Sequence, residues 1–358
     1  MTWLQRLWPL DWFAVLSMAK DFTAHPIIGS RKLNARGLHV WRKLAAQRRC
    51  DARRRRMTTR WPAERDAFAQ YDAQGMMLQP DYLSAEHLAA VKEELCRGDF
   101  KMIEMSQPPA LTRRVNLDTE TCRDHYPALH KLITDPRLLA RLRYAAGYGG
   151  QPIIAIQCIH GDAGGEGHGH DPQTDWHVDT FHSTAKAWLF LHDVALDEGP
   201  LAYARGTHVC TPARLEWEKQ QSLAAPTHAN RLHAKGSFRV GEAELAAMGY
   251  PPGKSLPVAG NTLVVADTGG FHRRTPSNQP TVRVELYMSL RRNPFLAGVL
   301  PSAMGLPWVR GHWANAAFDI YEWLWRRKTP LWIPCQVRGL QDSEKQALSR
   351  TASRPSGT

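Results

Sequence analysis

The sequence predicts a mainly β protein with flanking helices, on two observations about its periodicity. Residues 63–150 read mainly as helix, because Leu88, Val91 and Leu95 recur at helical spacing behind Ser84, a good N-cap. Beyond this segment the pattern changes to short apolar runs bounded by turn residues, as is typical of strands. The predicted strands cover residues 153–156, 186–194, 262–266 and 282–290.

The chain divides into segments of different composition. Residues 1–62 form a basic, Trp-rich N-terminal arm, and residues 63–298 form the main domain, with a charged helical insertion at 211–250. We expect residues 299–340 to be a Trp-rich helical segment. Residues 341–358, rich in Ser, Arg, Thr, Gly and Pro, are predicted to be disordered.

Positive charge is concentrated in the N-terminal arm. Residues 1–60 hold 14 Lys/Arg against three acids, so they supply +11 of the formal net charge of +12. The remainder of the chain is therefore nearly neutral. Such an arm suits an anionic surface, either phospholipid or nucleic acid.

Tryptophan favours the lipid surface. Nine of the 13 Trp residues lie within residues 1–60 and 299–340, and indole rings favour the membrane–water interface. Residues 3–18 are apolar, but Arg6, Pro9 and Asp11 interrupt them, so they are too short to span a bilayer and make a poor signal peptide. We expect an interfacial anchor, with helices packed on the protein's own body as the alternative. The expected location is cytoplasmic, peripheral on the inner face of the membrane, and nucleic acid is not the expected partner.

Cysteine usage points to a reducing compartment. The six cysteines are scattered, and none forms a C-x-x-C pair. We interpret them as reduced thiols of a cytosolic protein, and a zinc–cysteine site has no support.

A His-x-Asp pair is the first candidate for chemistry. On a strand, residues i and i+2 point to the same face, so His177 and Asp179 can hold one metal ion from one side. The pair alone is weak evidence, but His272 follows the predicted strand at 262–266 and can supply a third ligand. Two histidines and one carboxylate make the facial triad of non-haem iron(II) oxygenases, which leaves sites open for a bidentate co-substrate and O2.

The strand that follows supplies a candidate anion site. Between residues 283 and 291, apolar side chains alternate with polar ones, and Arg283 opens the polar set. A guanidinium can bind a carboxylate through a bidentate fork. Two alternatives remain: Arg291, on the same face, could be the anion-binding residue, or Arg283 could form a structural salt bridge with Glu285.

The order of these motifs resembles the phytanoyl-CoA dioxygenase family of Fe(II)/2-oxoglutarate-dependent oxygenases over about residues 69–298. The resemblance rests on the His-x-Asp pair, the strand at 186–194, Glu198-Gly199-Pro200-Leu201, Arg205-Gly206-Thr207-His208, Gly260-Asn261, His272 and Arg283. It implies a double-stranded β-helix (cupin-like jelly roll) core with flanking helices.

The resemblance also implies the chemistry. His177, Asp179 and His272 would ligate iron, and Arg283 would anchor the distal carboxylate of 2-oxoglutarate. The implied reaction consumes O2 and 2-oxoglutarate and releases succinate and CO2 as substrate is hydroxylated. Because relatives that halogenate replace the ligand carboxylate with a small residue, Asp179 favours hydroxylation.

Neighbouring residues are weaker candidates. Those that could contact the co-substrate are Lys186, Gln157 and Thr180, and those that could contact substrate are Trp176, Arg205 and Trp188. Histidines are numerous, but we expect them to line the pocket or face solvent and not to hold a second metal. His208 is expected to be architectural.

The leading hypothesis is a hydroxylase that acts on a small hydrophobic or membrane-associated molecule, such as a lipid or glycolipid. One alternative keeps the barrel and metal but is a cupin-type isomerase or lyase, which needs no dicarboxylate anchor at Arg283. The other is a non-enzymatic protein that binds membrane or nucleic acid through the basic arm.

Overall fold

A computed structural model describes residues 9–161, 170–277, 279–297 and 332–350. Its core is two antiparallel sheets. The strands are β1 (Met76–Gln79), β2 (Ile103–Gln107), β3 (Ala110–Asn116), β4 (Ile153–Gly161), β5 (Ala185–Phe190), β6 (Leu201–Tyr203), β7 (Lys254–Ser255), β8 (Thr262–Asp267), β9 (His272–Arg274), β10 (Thr281–Leu290) and β11 (Ile333–Pro334). An eight-stranded sheet has the order β1-β8-β5-β10-β4-β3-β2-β11, and a three-stranded sheet has the order β7-β6-β9. The predicted jelly-roll fold with flanking helices is confirmed.

Strand β10 shows why the sheet has two different faces. Val284, Leu286, Met288 and Leu290 point into the main hydrophobic core, where helices cover the sheet. The alternate residues point to the opposite face, as the sequence predicts, and line cavities in the barrel interior. One face therefore stabilises the fold and the other is available for binding.

The helices are placed on the outside of the large sheet and at its ends. They are α1 (Pro9–Trp12), α2 (Arg31–Ala35), α3 (Leu38–Arg60), α4 (Arg65–Gln74), α5 (Ala85–Arg97), α6 (Thr119–His125), α7 (Pro127–Ile133), α8 (Pro136–Ala146), α9 (Pro212–Ala224), α10 (Arg231–Ala234), α11 (Glu242–Ala247) and α12 (Asp342–Ser349). Ser84 caps α5 as predicted, since its side chain accepts a hydrogen bond from the backbone N–H of His87. None of the described helices is long and apolar enough to cross a bilayer.

The sequence does not predict the hairpin of β2 and β3, because its pattern indicates mainly helix over residues 63–150. Its strands lack the apolar runs that mark a buried strand. In β3, Thr112 and Arg114 face the barrel interior and line a cavity, while Arg113 faces a buried carboxylate on the other side. A strand with polar residues on both faces carries little periodic signal.

The basic arm is partly built into the body. Helix α3 buries Arg54, whose guanidinium donates to the main-chain oxygens of Tyr144 and Ala145 and to the Tyr71 hydroxyl. Arg42 donates to four main-chain oxygens between residues 14 and 19 and so holds this N-terminal segment on the helix. These buried arginines serve the fold, whereas other arginines of the helix stay exposed.

The insertion at 211–250 is helical, as predicted, and a buried carboxylate ties it to the arm. Glu218 of α9 contacts His39 at 2.7 Å, Lys43 at 3.1 Å and Arg214 at 2.8 Å. Burial alone would raise the pKa of Glu218, but Lys43 and Arg214 outweigh burial and hold it well below its ordinary value.

The prediction of a disordered tail from residue 341 is wrong for its first part. Residues Asp342–Ser349 form α12, whose Glu344 is fully buried and bonds Arg113 at 2.6 Å and His160 at 2.8 Å. The amino-acid composition of the tail could not reveal that Glu344 pairs with Arg113, which lies 231 residues away in the chain. Of the Trp-rich segment predicted as helical, residues 299–331 lie outside the described residues, and the described remainder contains β11.

Glu218→Gln should lower the free energy of unfolding by about 3–5 kcal/mol at pH 7, because Lys43 and Arg214 would remain buried without a counter-charge. Since the folded pKa of Glu218 is depressed, this stability is present above its ordinary pKa near 4.5 and is lost as pH falls through the folded value. Urea unfolding at pH 7 and below pH 4.5 measures both effects. The exposed Glu216→Gln on the same helix is the control, with a change within about 0.5 kcal/mol.

Candidate active site

The centre of the site is a pair of histidines joined through their backbones. His177 and His272 exchange two hydrogen bonds of 3.0 Å, each N–H donating to the other's carbonyl oxygen. The His177 segment is an isolated bridge and not part of a regular strand, which differs from the predicted strand. The pairing still places both imidazoles side by side, with ring centroids 4.5 Å apart.

Both imidazoles are oriented for metal binding. Nδ1 of His177 lies 2.7 Å from the carbonyl oxygen of Asp175, and Nδ1 of His272 lies 3.1 Å from that of Gly270. If each Nδ1–H donates to its carbonyl, each Nε2 lone pair is free for a cation, which is how protein histidines bind metals. Burial lowers the pKa of both rings, so both are neutral at pH 7.

Asp179 supplies the third donor, and Lys186 holds its carboxylate in position. Its Oδ2 lies 2.7 Å from the ammonium of Lys186, while its Oδ1 lies 3.9 Å from Nε2 of His272. One oxygen is thus held by Lys186 and the other faces the imidazoles. Burial alone would raise the pKa of Asp179, but the charge of Lys186 and its hydrogen bond to the carboxylate outweigh burial and keep it ionised.

The three side chains fit a divalent iron. One ligand atom from each lies within 4.8 Å of the others, and the donors are two neutral imidazoles and one carboxylate. Three such donors would occupy three coordination positions of the metal and leave the others open. A metal ion here would also balance the Asp179 charge.

A first cavity of about 290 Å³ opens from the triad toward Arg283. The Arg283 guanidinium is buried; its Nη1 donates to the carbonyl oxygen of Gly199 at 2.7 Å, and its Nε lies 2.9 Å from Glu285. Gln157 bonds Glu285 with its amide nitrogen and accepts from Arg114 with its amide oxygen. Arg283 therefore faces the cavity and also forms the ion pair given as its alternative role.

A second cavity of about 340 Å³ shares His177, Asp179 and Lys186 with the first. It is lined by Lys20, Arg239 and Arg291, along with Lys186 and the ligand residues His177 and Asp179. Lys20 comes from the N-terminal arm and donates to the main-chain oxygen of Asp179. Burial, together with the charges of Arg291 and Arg239, lowers the pKa of Lys20 to about 8.

The remaining predicted residues fall into two groups. Lys186, Gln157 and Trp188 line the first cavity with the triad. Thr180, Trp176 and Arg205 are absent from the described lining of both cavities.

Trp176 belongs to the core instead: it is buried, its indole N–H donates to Glu242 at 2.6 Å, and the Arg273 guanidinium covers its ring. Thr180 is fully buried, and its hydroxyl has no described partner.

Several lining residues were not predicted from the sequence. Arg274 lies two residues after His272 and lines the first cavity, so strand alternation could have found it. Lys20 and Arg239 carry no such signal, because helices and strands far apart in the chain bring them to the metal site. Of the other histidines, His208 packs against Tyr71, in keeping with an architectural role, and His160 pairs with Glu344.

The jelly roll, the triad and the facing arginine define a class of protein, the Fe(II)- and 2-oxoglutarate-dependent oxygenases. Residues 71–238 match the family model described as Phytanoyl-CoA dioxygenase (PhyH), so this part of the chain is a PhyH domain. The family resemblance and the cofactor set of Fe(II), 2-oxoglutarate and O2 are thereby confirmed. The match includes the His-x-Asp pair and ends before His272. No curated protein matches the chain.

Solved structures with a similar fold are distant. The epimerase SnoN, in complex with Fe3+, alpha ketoglutarate and nogalamycin RO, has 16% identity and a TM-score of 0.41, covering 64% of this chain and 83% of that one. HygX from Streptomyces hygroscopicus, with nickel and 2-oxoglutarate bound, has 15% identity and a TM-score of 0.36, covering 63% and 85%. The classification is carried by the family match and the site geometry, and not by these likenesses.

Asp179→Ala should lower the affinity for Mn(II), a redox-stable stand-in for Fe(II), by about 100-fold or more, because it removes the anionic ligand of the triad. Isothermal titration calorimetry measures this. Asp175→Asn is the matched control, since that side chain pairs with His170 outside the triad. Equal losses in both variants would contradict the assignment of the metal site.

Proposed function

We propose that the protein hydroxylates a small molecule held at a membrane surface and releases succinate and CO2 as co-products. The observation that carries the hydroxylase proposal is that the triad and Arg283 open into one cavity. This arrangement provides a metal site and a carboxylate anchor within reach of one dicarboxylate.

The position of each residue assigns it a role in binding the metal or the co-substrate. Bound iron, with 2-oxoglutarate and O2, supplies the oxidising chemistry. His177, Asp179 and His272 hold the metal from one side, while Lys186 keeps Asp179 oriented. In the described part of the chain the Nη2 of Arg283 has no hydrogen-bond partner, so it is available to a carboxylate.

Apolar side chains form part of the wall of this cavity. Trp188, Phe190, Leu201 and Tyr287 line it beside the polar groups. A low dielectric strengthens the attraction between the Arg283 guanidinium and a bound carboxylate.

Arg283→Lys should raise the dissociation constant of 2-oxoglutarate by about 10–100-fold, because Lys keeps a charge beside Glu285 but lacks the fork that binds a carboxylate. Calorimetry with the Mn(II)-loaded protein measures binding, and succinate release with Fe(II) measures turnover. Arg338→Lys, at an exposed ion pair, is the control.

Arg283→Met is a poorer test, because it leaves the fully buried Glu285 without a counter-charge and destabilises the fold.

Substrate conversion that continues without 2-oxoglutarate would contradict the hydroxylase proposal and favour a metal-dependent isomerase or lyase.

The membrane part of the proposal is supported by an aromatic–basic face, which we define as Trp12, Phe13, Leu16, Trp41, Arg48, Arg49, Arg55 and Arg56. All eight side chains are exposed, Phe13 by 69% and Trp41 by 50%. Asp51, the one acid in α3, is half-buried and pairs with Arg54, so it does not offset the exposed charge. Aromatic rings beside arginines suit the interface of an anionic bilayer.

The aromatic–basic face lies close to the metal site. Leu16 belongs to this face, and Lys20 lines the second cavity. The two residues are four positions apart, which is at most about 14 Å of chain. A molecule partly withdrawn from a membrane surface would therefore have a short path to the triad.

Replacing Arg48 and Arg55 together by Gln should weaken binding to vesicles of phosphatidylglycerol and phosphatidylcholine by about 30-fold, since each exposed arginine contributes about 1 kcal/mol at an anionic surface. Vesicle sedimentation measures this. Deleting residues 1–60 is unsuitable, because α3 carries the buried Ala46, Cys50 and Arg54.

A control variant and a second test variant accompany the vesicle experiment. Leu196→Ser changes an exposed apolar residue elsewhere and should leave vesicle binding intact, whereas Phe13→Ser should weaken it. Binding that is the same to pure phosphatidylcholine vesicles, or that both arginine replacements leave unchanged, would contradict the membrane proposal.

A further inference from the structure

We infer that the substrate carries a phosphate or carboxylate group, and that Lys20, Arg239 and Arg291 bind this group in the second cavity. The inference rests on the proposed function, because it places the substrate opposite the 2-oxoglutarate anchor. It defines the chemical class of the substrate by charge.

The balance of charge distinguishes the two cavities. In the first, Arg114 donates to the Gln157 amide oxygen and has no described ion pair, but the other arginines have acidic partners: Arg274 pairs with Asp171 at 2.5 Å, Arg283 with Glu285 at 2.9 Å, and Arg273 with Glu242 at 3.5 Å. These arginines are largely neutralised within the protein. The first cavity therefore holds enough free positive charge for one dicarboxylate but little more.

The three anion-binding cations of the second cavity have no such carboxylate partners among the described residues. Among the described residues, no carboxylate lies within ion-pair distance of Lys20, Arg239 or Arg291. The single acid that lines the cavity is Asp179, which is already shared between Lys186 and the metal site. Asp175 acts on Arg239 only at longer range and hydrogen-bonds His170 instead. Binding a divalent metal makes this region still more positive.

The cations are held in place with free donors. Arg239 donates from Nη1 to the carbonyl oxygen of Ser237 at 2.6 Å, which fixes its guanidinium, while its buried Nε has no partner. Arg291 is exposed at the end of β10, and Ser289 on the same face also lines the cavity. Fixed guanidinium and hydroxyl donors around a cavity are what a tetrahedral or planar oxyanion requires.

The position of the subsite limits where oxidation occurs. His177 and Asp179 line the same cavity as the three cations. An anionic group bound by Arg239 and Arg291 therefore lies beside the metal, and the carbon that is hydroxylated must lie within a few bonds of that group. A purely hydrocarbon substrate would lie against these cations without supplying a counter-charge, which is unfavourable because it removes water from them.

The test measures binding of inorganic phosphate to the Mn(II)-loaded protein by calorimetry, with 2-oxoglutarate already bound at saturation. Arg291→Gln and Arg239→Gln should each weaken phosphate binding by about tenfold, because each removes a charge-assisted contact. Arg292→Gln is the matched control, since it removes the same charge one residue away and does not line the cavity. The exposed Arg291 can be replaced without disturbing the core.

The outcomes separate this inference from the proposed function. Loss in the Arg291 and Arg239 variants, with 2-oxoglutarate binding changed by less than about twofold, supports the subsite. Equal loss in Arg292→Gln would show non-specific attraction and would overturn it, as would wild-type protein that binds 2-oxoglutarate but no phosphate. Failure to bind 2-oxoglutarate would instead overturn the proposed function.

The source of the anion is distinguished by a second comparison. Succinate release with Fe(II) is measured in the presence of glycerol 3-phosphate or of phosphatidic acid in phosphatidylcholine vesicles. Stimulation by the first identifies a soluble phosphorylated substrate, and stimulation by the second alone identifies a lipid headgroup. In either case Arg291→Gln should reduce the stimulation and Arg292→Gln should not; stimulation that both variants retain would overturn the assignment.

Discussion

The reciprocal hydrogen bonds between His177 and His272 are the interaction on which the site depends. They join a segment outside the regular strands to β9, and they set the distance between the two imidazoles. Asp179 follows two residues later and is tied to the sheet by its own N–H, which donates to Thr268. If this pairing opened, the metal donors would separate together.

Electrostatics then determines what the site can bind. A buried carboxylate cannot stay charged without partners, and Asp179 has Lys186 on one oxygen and the metal position on the other. Glu285 is buried on the same strand face as Arg283, which is its counter-charge, and it accepts a hydrogen bond from Gln157. The first cavity is thus balanced around one dicarboxylate, whereas the second cavity retains positive charge for a different anion.

The N-terminal arm links the site to the surface of the protein. Arg42 and Arg54 are buried and stabilise the fold, whereas Arg48 and Arg55 on the same helix are exposed. One helix therefore has a structural face and a basic outer face, and net charge could not distinguish the two. The segment that follows the exposed aromatic residues ends at Lys20, so the same arm reaches a surface and the active site.

The sequence by itself determined the β-rich core through its periodicity, and its resemblance to the phytanoyl-CoA dioxygenase family implied the jelly roll, the triad and the role of Arg283. Alternation along β10 assigned the faces of the strand, and the family motifs located His177, Asp179 and His272. Only the tertiary structure decided which cations share a cavity. Lys20 lies 159 residues from Asp179, and Glu344 lies 231 residues from Arg113. Such contacts leave no periodic signal, because they arise when packed elements bring distant charges together in a medium where each must find a partner.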